Sequence, residues 1–485
     1  MLHRLRVWMT ATGACLALLA VLAPHVLAAQ GAASGTQQPF IGNWEGTLHV
    51  SGLALRLGFS FTADSTGGVA GTLTSIDQGG VKLPVTVRVT GDSVRAESAP
   101  ARAVFAGRLV TADSIDGTWA QGGLSLPIAL RRAAAVTTAR RPQEPRPPFP
   151  YASTDVTFAS VPGVQLAGTL TVPPGAGPFP AVVLVTGSGP QDRDESLLGH
   201  KPFAVLADHL TRSGIAVLRY DDRGVGRSTG SFGAATSADF ADDAEAAVRF
   251  LRTRPEVAPG KIGIAGHSEG GLIAPMVAAR SRDVAFIVLL AGPGMRGDSL
   301  LNLQGRLIAR AAGVTPEAVE LSARTQLRMF DAVAAGGDSA AMVARLRAIG
   351  QEMMGQLTEE QRRSSQLTPA AMEANVAMLA SPWFRYFLAT DPRPTLRRVR
   401  VPVLALNGSR DLQVPPRENL AGIEAALRAG GNRDFRTVEL PGLNHLFQTA
   451  TTGSPSEYAV IEETMSPAAL NEISTWILQR FGPRR

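Results

Sequence analysis

The chain has 485 residues, 45% of them hydrophobic and 18% charged, with a formal net charge of +6. This length exceeds one small core and points to two domains, and the balance excludes a disordered chain. The positive excess is almost all arginine, with lysine only at Lys82, Lys201 and Lys261, and it is scattered; the absence of a basic stripe excludes a nucleic-acid reader.

Residues 1–28 read as an export signal. Arg4 and Arg6 precede an apolar run over 7–22, and Val26-Leu27-Ala28 forms a small-residue cleavage site before Ala29. The expected address is periplasmic or secreted, with no stable membrane insertion once the signal is cut. The single cysteine, Cys15, leaves with it, so disulfides and thiol chemistry are not expected in the mature chain.

Residues 40–132 read as a small all-β domain, a barrel or a sandwich. Alternating runs occur at 44–50, 53–61, 85–89, 104–109, 115–119 and 126–130, separated by Gly, Asp and Ser turns. Trp44 and Trp119 are expected to fill its core. Residues 133–150, with RRPQEPRPPFP, read as an extended proline-rich linker holding two bodies apart.

From residue 151 to 485, strands alternate with helices, the pattern of a mostly parallel sheet with helices on both faces. An opening hairpin at 155–160 and 164–172 precedes buried strands at 181–186, 215–220, 262–265, 285–291, 401–406 and 435–440. Helices are expected at 201–212, 237–253, 417–429 and 468–481. Residues 296–393 carry helical spacing without strands, which predicts a helical cap inserted between two sheet strands. Most of the cap methionines are expected to be ordinary core.

The pattern Gly-x-Ser-x-Gly occurs twice. At 266–270 it lies between a buried strand and a helix of small residues, the context of a nucleophile elbow, and Ser268 is the candidate nucleophile. At 226–230 it follows a polar run and leads into a loop, so Ser228 is not expected to react. A serine hydroxyl needs a base, and the base needs an orienting carboxylate. Of the 7 histidines, only His445 follows Ser268, in a loop directly after the last strand. His267 is expected to be aimed away by the turn. Asp411, just past the C-terminal end of the strand at 401–406, is the expected acid. Asp391 and Asp434 lie at the wrong ends of their elements, and Glu439, inside the last strand, is the rival. The oxyanion donors are expected to be backbone N–H groups of Glu269 and of Ser188 or Gly189, with Ser188 preferred. The charges at 192–195 are expected to face substrate or Glu269, or to pair with one another.

GSGPQDRDE, YDDRGVGRS, GHSEGG, LNGSRDLQVP and LNHLFQ together resemble the bacterial EstD-type carboxylesterases, near the serine-aminopeptidase-like branch of the α/β-hydrolases. The resemblance covers residue 151 to the C-terminus and implies an α/β-hydrolase fold. It implies a cofactor-free and metal-free esterase acting on short acyl esters through Ser268, Asp411 and His445. The expected partner is a small-molecule ester. A peptidase or amidase with the same triad is the alternative; a pocket for a free amino terminus would need carboxylates, and the cap offers few.

Overall fold

The computed structural model describes residues 38–482, apart from 51–52, 66, 78–79, 122–123, 137–139 and 357–368. The expected export signal and cleavage site, with Cys15, lie outside the described residues. No helix among the described residues is long and apolar enough to cross a membrane.

The N-terminal part is a closed barrel of eight strands: β1 (Gly42–Val50), β2 (Leu53–Ala63), β3 (Val69–Ser75), β4 (Val81–Thr90), β5 (Ser93–Ser98), β6 (Ala103–Thr111), β7 (Ser114–Gln121) and β8 (Leu124–Ala133). Each strand runs antiparallel to the next, and β1 closes on β8 with Asn43 opposite Ala133 and Gly46 opposite Leu130. Closure leaves no unpaired edge, which settles barrel over sandwich. Trp44, Phe59, Phe61, Phe105 and Trp119 fill the interior. The Trp44 indole donates to the Phe40 carbonyl at 2.7 Å, so its one polar atom is satisfied inside the core. Two strands, β3 and β5, are additional to those the alternation predicts.

Residues 140–150 contain neither helix nor strand, but they are not a free spacer. The Arg141 guanidinium donates to the carbonyls of Leu198, Ala459 and Ile461 at 2.9, 2.8 and 3.1 Å. The Gln143 amide donates to the Met465 carbonyl and accepts from the Thr464 N–H, and Glu144 pairs with Lys201. These bonds fasten the linker to the second body. Proline removes backbone donors, so the attachment is made by side chains reaching acceptors in the following body, which linker composition does not reveal.

The second part is an eight-stranded sheet built from β9 (Ala152–Ala159), β10 (Gln165–Val172), β11 (Phe179–Val185), β12 (Ala216–Tyr220), β13 (Val257–His267), β14 (Phe286–Leu290), β15 (Val403–Gly408) and β16 (Phe435–Leu440). Their spatial order is β16-β15-β14-β13-β11-β12-β10-β9. The β9–β10 and β10–β12 pairs are antiparallel and all others parallel. The central strands are near-continuous apolar runs because both faces are covered. On one face pack α1 (Pro202–Arg212) and the closing helix α11 (Pro467–Phe481). On the other pack α2 (Ser237–Arg252), α3 (Gly270–Ala278) and α10 (Pro416–Ala429). Helix α2 opens with a reciprocal capping box between Thr236 and Asp239.

Between β14 and β15 the chain leaves the sheet as a run of helices: α4 (Gly297–Ala311), α5 (Pro316–Ala334), α6 (Ser339–Gln356), α7 (Pro369–Ala380), α8 (Pro382–Ala389) and α9 (Pro392–Leu396). Met329, Met342, Met353 and Met372 are buried with Phe330 and Phe384 in a core continuous with that of the sheet. These methionines hold the cap together, as expected.

Candidate active site

At the end of β13 the chain turns at Ser268 and enters α3. Ser268 has φ +52°, a left-handed conformation that costs an L-residue about 1–3 kcal/mol and persists only where surroundings enforce it. Here they do. The Ser268 N–H donates to the Leu290 carbonyl on the neighbouring strand at 2.8 Å. A Cβ on Gly266 would lie 2.0 Å from the Gly270 carbonyl oxygen, and one on Gly270 would lie 2.2 Å from that of Val185. Only glycine lets strand, turn and helix approach this closely. Ser268 is partly exposed while His267 and Glu269 on either side are buried, so the turn presents the serine and hides its neighbours.

The second Gly-x-Ser-x-Gly copy is structural. Ser228 is buried; its hydroxyl donates to the Asp221 carbonyl at 2.7 Å and accepts from the Ala167 N–H at 2.9 Å. Removing it orphans a buried donor. Ser228→Ala is expected to lower stability by about 1–3 kcal/mol and leave turnover per folded molecule nearly unchanged. Denaturant unfolding alongside kinetics checks this.

Asp411 lies just beyond β15 and His445 in the loop after β16. Their side chains meet: His445 Nδ1 is 2.8 Å from Asp411 Oδ2, and both residues are buried. The other carboxylate oxygen accepts the N–H groups of Gln413 and Val414, each at 2.8 Å. Asp411 is thereby fixed as an acceptor, Nδ1 carries the proton, and Nε2 is left with its lone pair free. Glu439, the rival acid, is exposed on β16. Among the described residues no hydrogen bond joins the Ser268 hydroxyl to the His445 imidazole. The Asp411–His445 pair is assembled, and Ser268 lies at the elbow between β13 and α3. Such bonds often tighten only when substrate is bound.

His267 is not turned away from the site. Its ring centroid lies 4.8 Å from that of His445. Its Nδ1 is 2.9 Å from Glu195 Oε1 and its Nε2 is 3.0 Å from the His445 carbonyl oxygen. The turn was expected to aim His267 away, but the His445 loop comes to meet it, with its carbonyl oxygen against the ring.

The turn after β11 passes directly beside the serine, since a Cβ on Gly187 would lie 3.2 Å from Ser268 Cβ. The Gly187 N–H is already engaged by Glu195 Oε1 at 2.7 Å. Among the described residues, the N–H groups of Ser188 and Glu269 have no acceptor. The Glu269 carboxylate is fully engaged: Ser237 donates to Oε1 at 2.6 Å, and the Trp383 indole of α8 donates at 2.9 Å. Burial raises the Glu269 carboxyl above its ordinary range despite these donors. One side chain thus ties the cap to α2. Sequence reading assigned this residue only a backbone role.

The 192–195 charges do not face Glu269. Arg193 forms a two-pronged pair with Asp221 at 2.9 and 2.7 Å, Asp194 pairs with Arg219, and Glu195 bonds His267. Asp222 accepts from the Thr186 hydroxyl at 2.9 Å and the Gln191 N–H at 3.0 Å. Burial pushes the Asp222 carboxyl well above its usual range, against those bonds. Arg223 pairs with Asp243 at 2.7 Å. The YDDRGVGRS run is therefore a brace for residues 186–195. The density of Asp, Arg and Gly after a buried strand was the only signal of it in the sequence.

Residues 201–351 match the family described as serine aminopeptidase, S33. The esterase EstD of Thermotoga maritima is 25% identical over 335 residues, spanning 68% of this chain and 69% of that protein. Acyl-coenzyme A thioesterase 1 of Mus musculus is 31% identical over 130 residues, 26% of this chain and 27% of that one. Among solved structures, the esterase Pf2001 of Pyrococcus furiosus aligns over 69% of this chain and 94% of its own, at 16% identity and a TM-score of 0.40. By sequence the chain resembles the bacterial EstD-type esterases, and the strand–elbow–helix geometry of Ser268 and the sheet that carries it have the arrangement of an α/β-hydrolase.

Proposed function

We propose that the protein is an exported serine carboxylesterase acting on small esters, with Ser268 as nucleophile, His445 as base and Asp411 as its orienting acid. The observation that carries this reading is the buried Asp411–His445 pair. Asp411 has its remaining oxygen saturated by two backbone donors, so the imidazole has one tautomer and one free nitrogen. In the proposed reaction His445 Nε2 takes the Ser268 proton as the oxygen attacks the ester carbonyl. The tetrahedral oxyanion is received by the N–H groups of Glu269 and Ser188, at the N-terminus of α3 where the helix favours negative charge. His445 then gives its proton to the leaving alcohol and an acyl-enzyme remains. Water, deprotonated by the same nitrogen, releases the acid and restores the serine.

An ester is favoured over an aminoacyl amide by the state of the nearby carboxylates. Asp222, Glu269 and Asp411 spend both oxygens on internal donors, and Glu195 spends Oε1 on the Gly187 N–H and the His267 ring. A peptidase taking free amino termini needs a carboxylate free to hold the substrate ammonium. Esters of graded acyl length and aminoacyl amides, assayed side by side, test this. Short esters are expected to show kcat/KM at least about 100-fold above the amides, and equal values would contradict it.

A further inference from the structure

His267 presents an unusual satisfaction problem. Both of its ring nitrogens point at oxygens that only accept: a carboxylate oxygen of Glu195 at 2.9 Å and the backbone carbonyl of His445 at 3.0 Å. A neutral imidazole has one N–H and one lone pair. In either tautomer one lone pair would face an oxygen lone pair, inside a region where His267 is 6% exposed and water does not relieve the clash. Only the doubly protonated ring donates on both sides. The counter-charge is in place, since the same Glu195 oxygen also accepts the Gly187 N–H at 2.7 Å.

We propose that His267 is held as a buried imidazolium by Glu195 and acts as a positioning residue, clamping the backbone of His445 on one side and the turn at Gly187 on the other. The inference rests on the triad reading for its link to turnover, but the charge state does not. Three segments far apart in sequence meet at this ion pair: the turn after β11, the elbow and the His445 loop. Among the described residues, the charged and titratable groups facing the ring are Glu195, Asp411 and His445, and the apolar Phe447 ring lies edge-on to it. Burial works against the charge, but the Glu195 carboxylate and its hydrogen bond, the His445 carbonyl and the Asp411 charge outweigh it and raise the proton affinity of His267 above the ordinary imidazole value. The sign follows. A histidine whose folded pKa is raised contributes its stabilisation fully below the unfolded value and loses it as pH rises through the folded one. The clamp therefore fails on the alkaline side.

The test is nitrogen-15 NMR of histidine-labelled full-length protein at neutral pH, with His267 assigned by the signal lost in His267→Gln. If that variant does not fold, assignment comes from the signal displaced in Glu195→Gln, which keeps an acceptor for Gly187 but removes the charge. Two protonated ring nitrogens are expected; one bare nitrogen overturns the proposal. In kinetics, Glu195→Gln is expected to lower kcat about 10- to 100-fold, with KM changed much less, and to move the alkaline limb of the kcat profile to lower pH. An unmoved alkaline limb and unchanged kcat overturn the positioning role. Failure of the triad reading would show separately, as an active Ser268→Ala enzyme.

Discussion

Ser268→Ala is expected to lower kcat/KM for a small soluble ester by at least about 10³-fold while leaving the fold intact. The fold should survive because the strain at this position belongs to the backbone, and alanine meets the same left-handed φ of +52° with no larger side chain. The glycines that make the turn possible, Gly266 and Gly270, are untouched. What is lost is the atom that forms the acyl bond. The residual rate should come from the oxyanion donors and from binding alone. Near-normal turnover by this variant would mean the elbow is not where chemistry occurs.

Asp411→Asn is expected to cost about 10⁴-fold in kcat with little effect on folding. The substituted side chain keeps an oxygen for the Gln413 and Val414 N–H groups, each now 2.8 Å from Asp411 Oδ1. That choice turns its NH₂ toward His445 Nδ1. Two donors cannot share the contact, so the imidazole must move its proton to Nε2, the nitrogen needed as base. The variant would be folded, correctly shaped and in the wrong tautomer. Steady-state kinetics with circular dichroism checks it, and a loss under tenfold would place the orienting acid elsewhere.

The elbow was legible in the sequence because its constraint is local. Glycines are needed where backbones approach to about van der Waals contact, and they fall within five residues of the serine. His445 was legible by elimination, and Asp411 from its place past the end of a buried strand. The supporting contacts were not legible, because they join residues distant in the chain. Glu195 and His267 are 72 positions apart, and His267 and the His445 carbonyl 178. No periodicity encodes such meetings. In the barrel, β5 was missed because its inward residues are Val94, Ala96 and Ser98, too small and polar to read as an apolar alternation. In β3 the large inward residues are only Val69 and Leu73. Arg141 was hidden for another reason: its partners are backbone carbonyls, which every residue carries.

The central claim, that catalysis passes through a covalent intermediate on Ser268, is tested most directly by a fluorophosphonate. Such a reagent mimics the tetrahedral intermediate and traps a serine only where a base and oxyanion donors converge on it. Mass spectrometry of the digested full-length protein is expected to find one adduct, on the peptide containing Ser268, formed in step with loss of esterase activity and absent from Ser268→Ala. An adduct on Ser228 or any other residue, or full inactivation with Ser268 unmodified, would contradict the account.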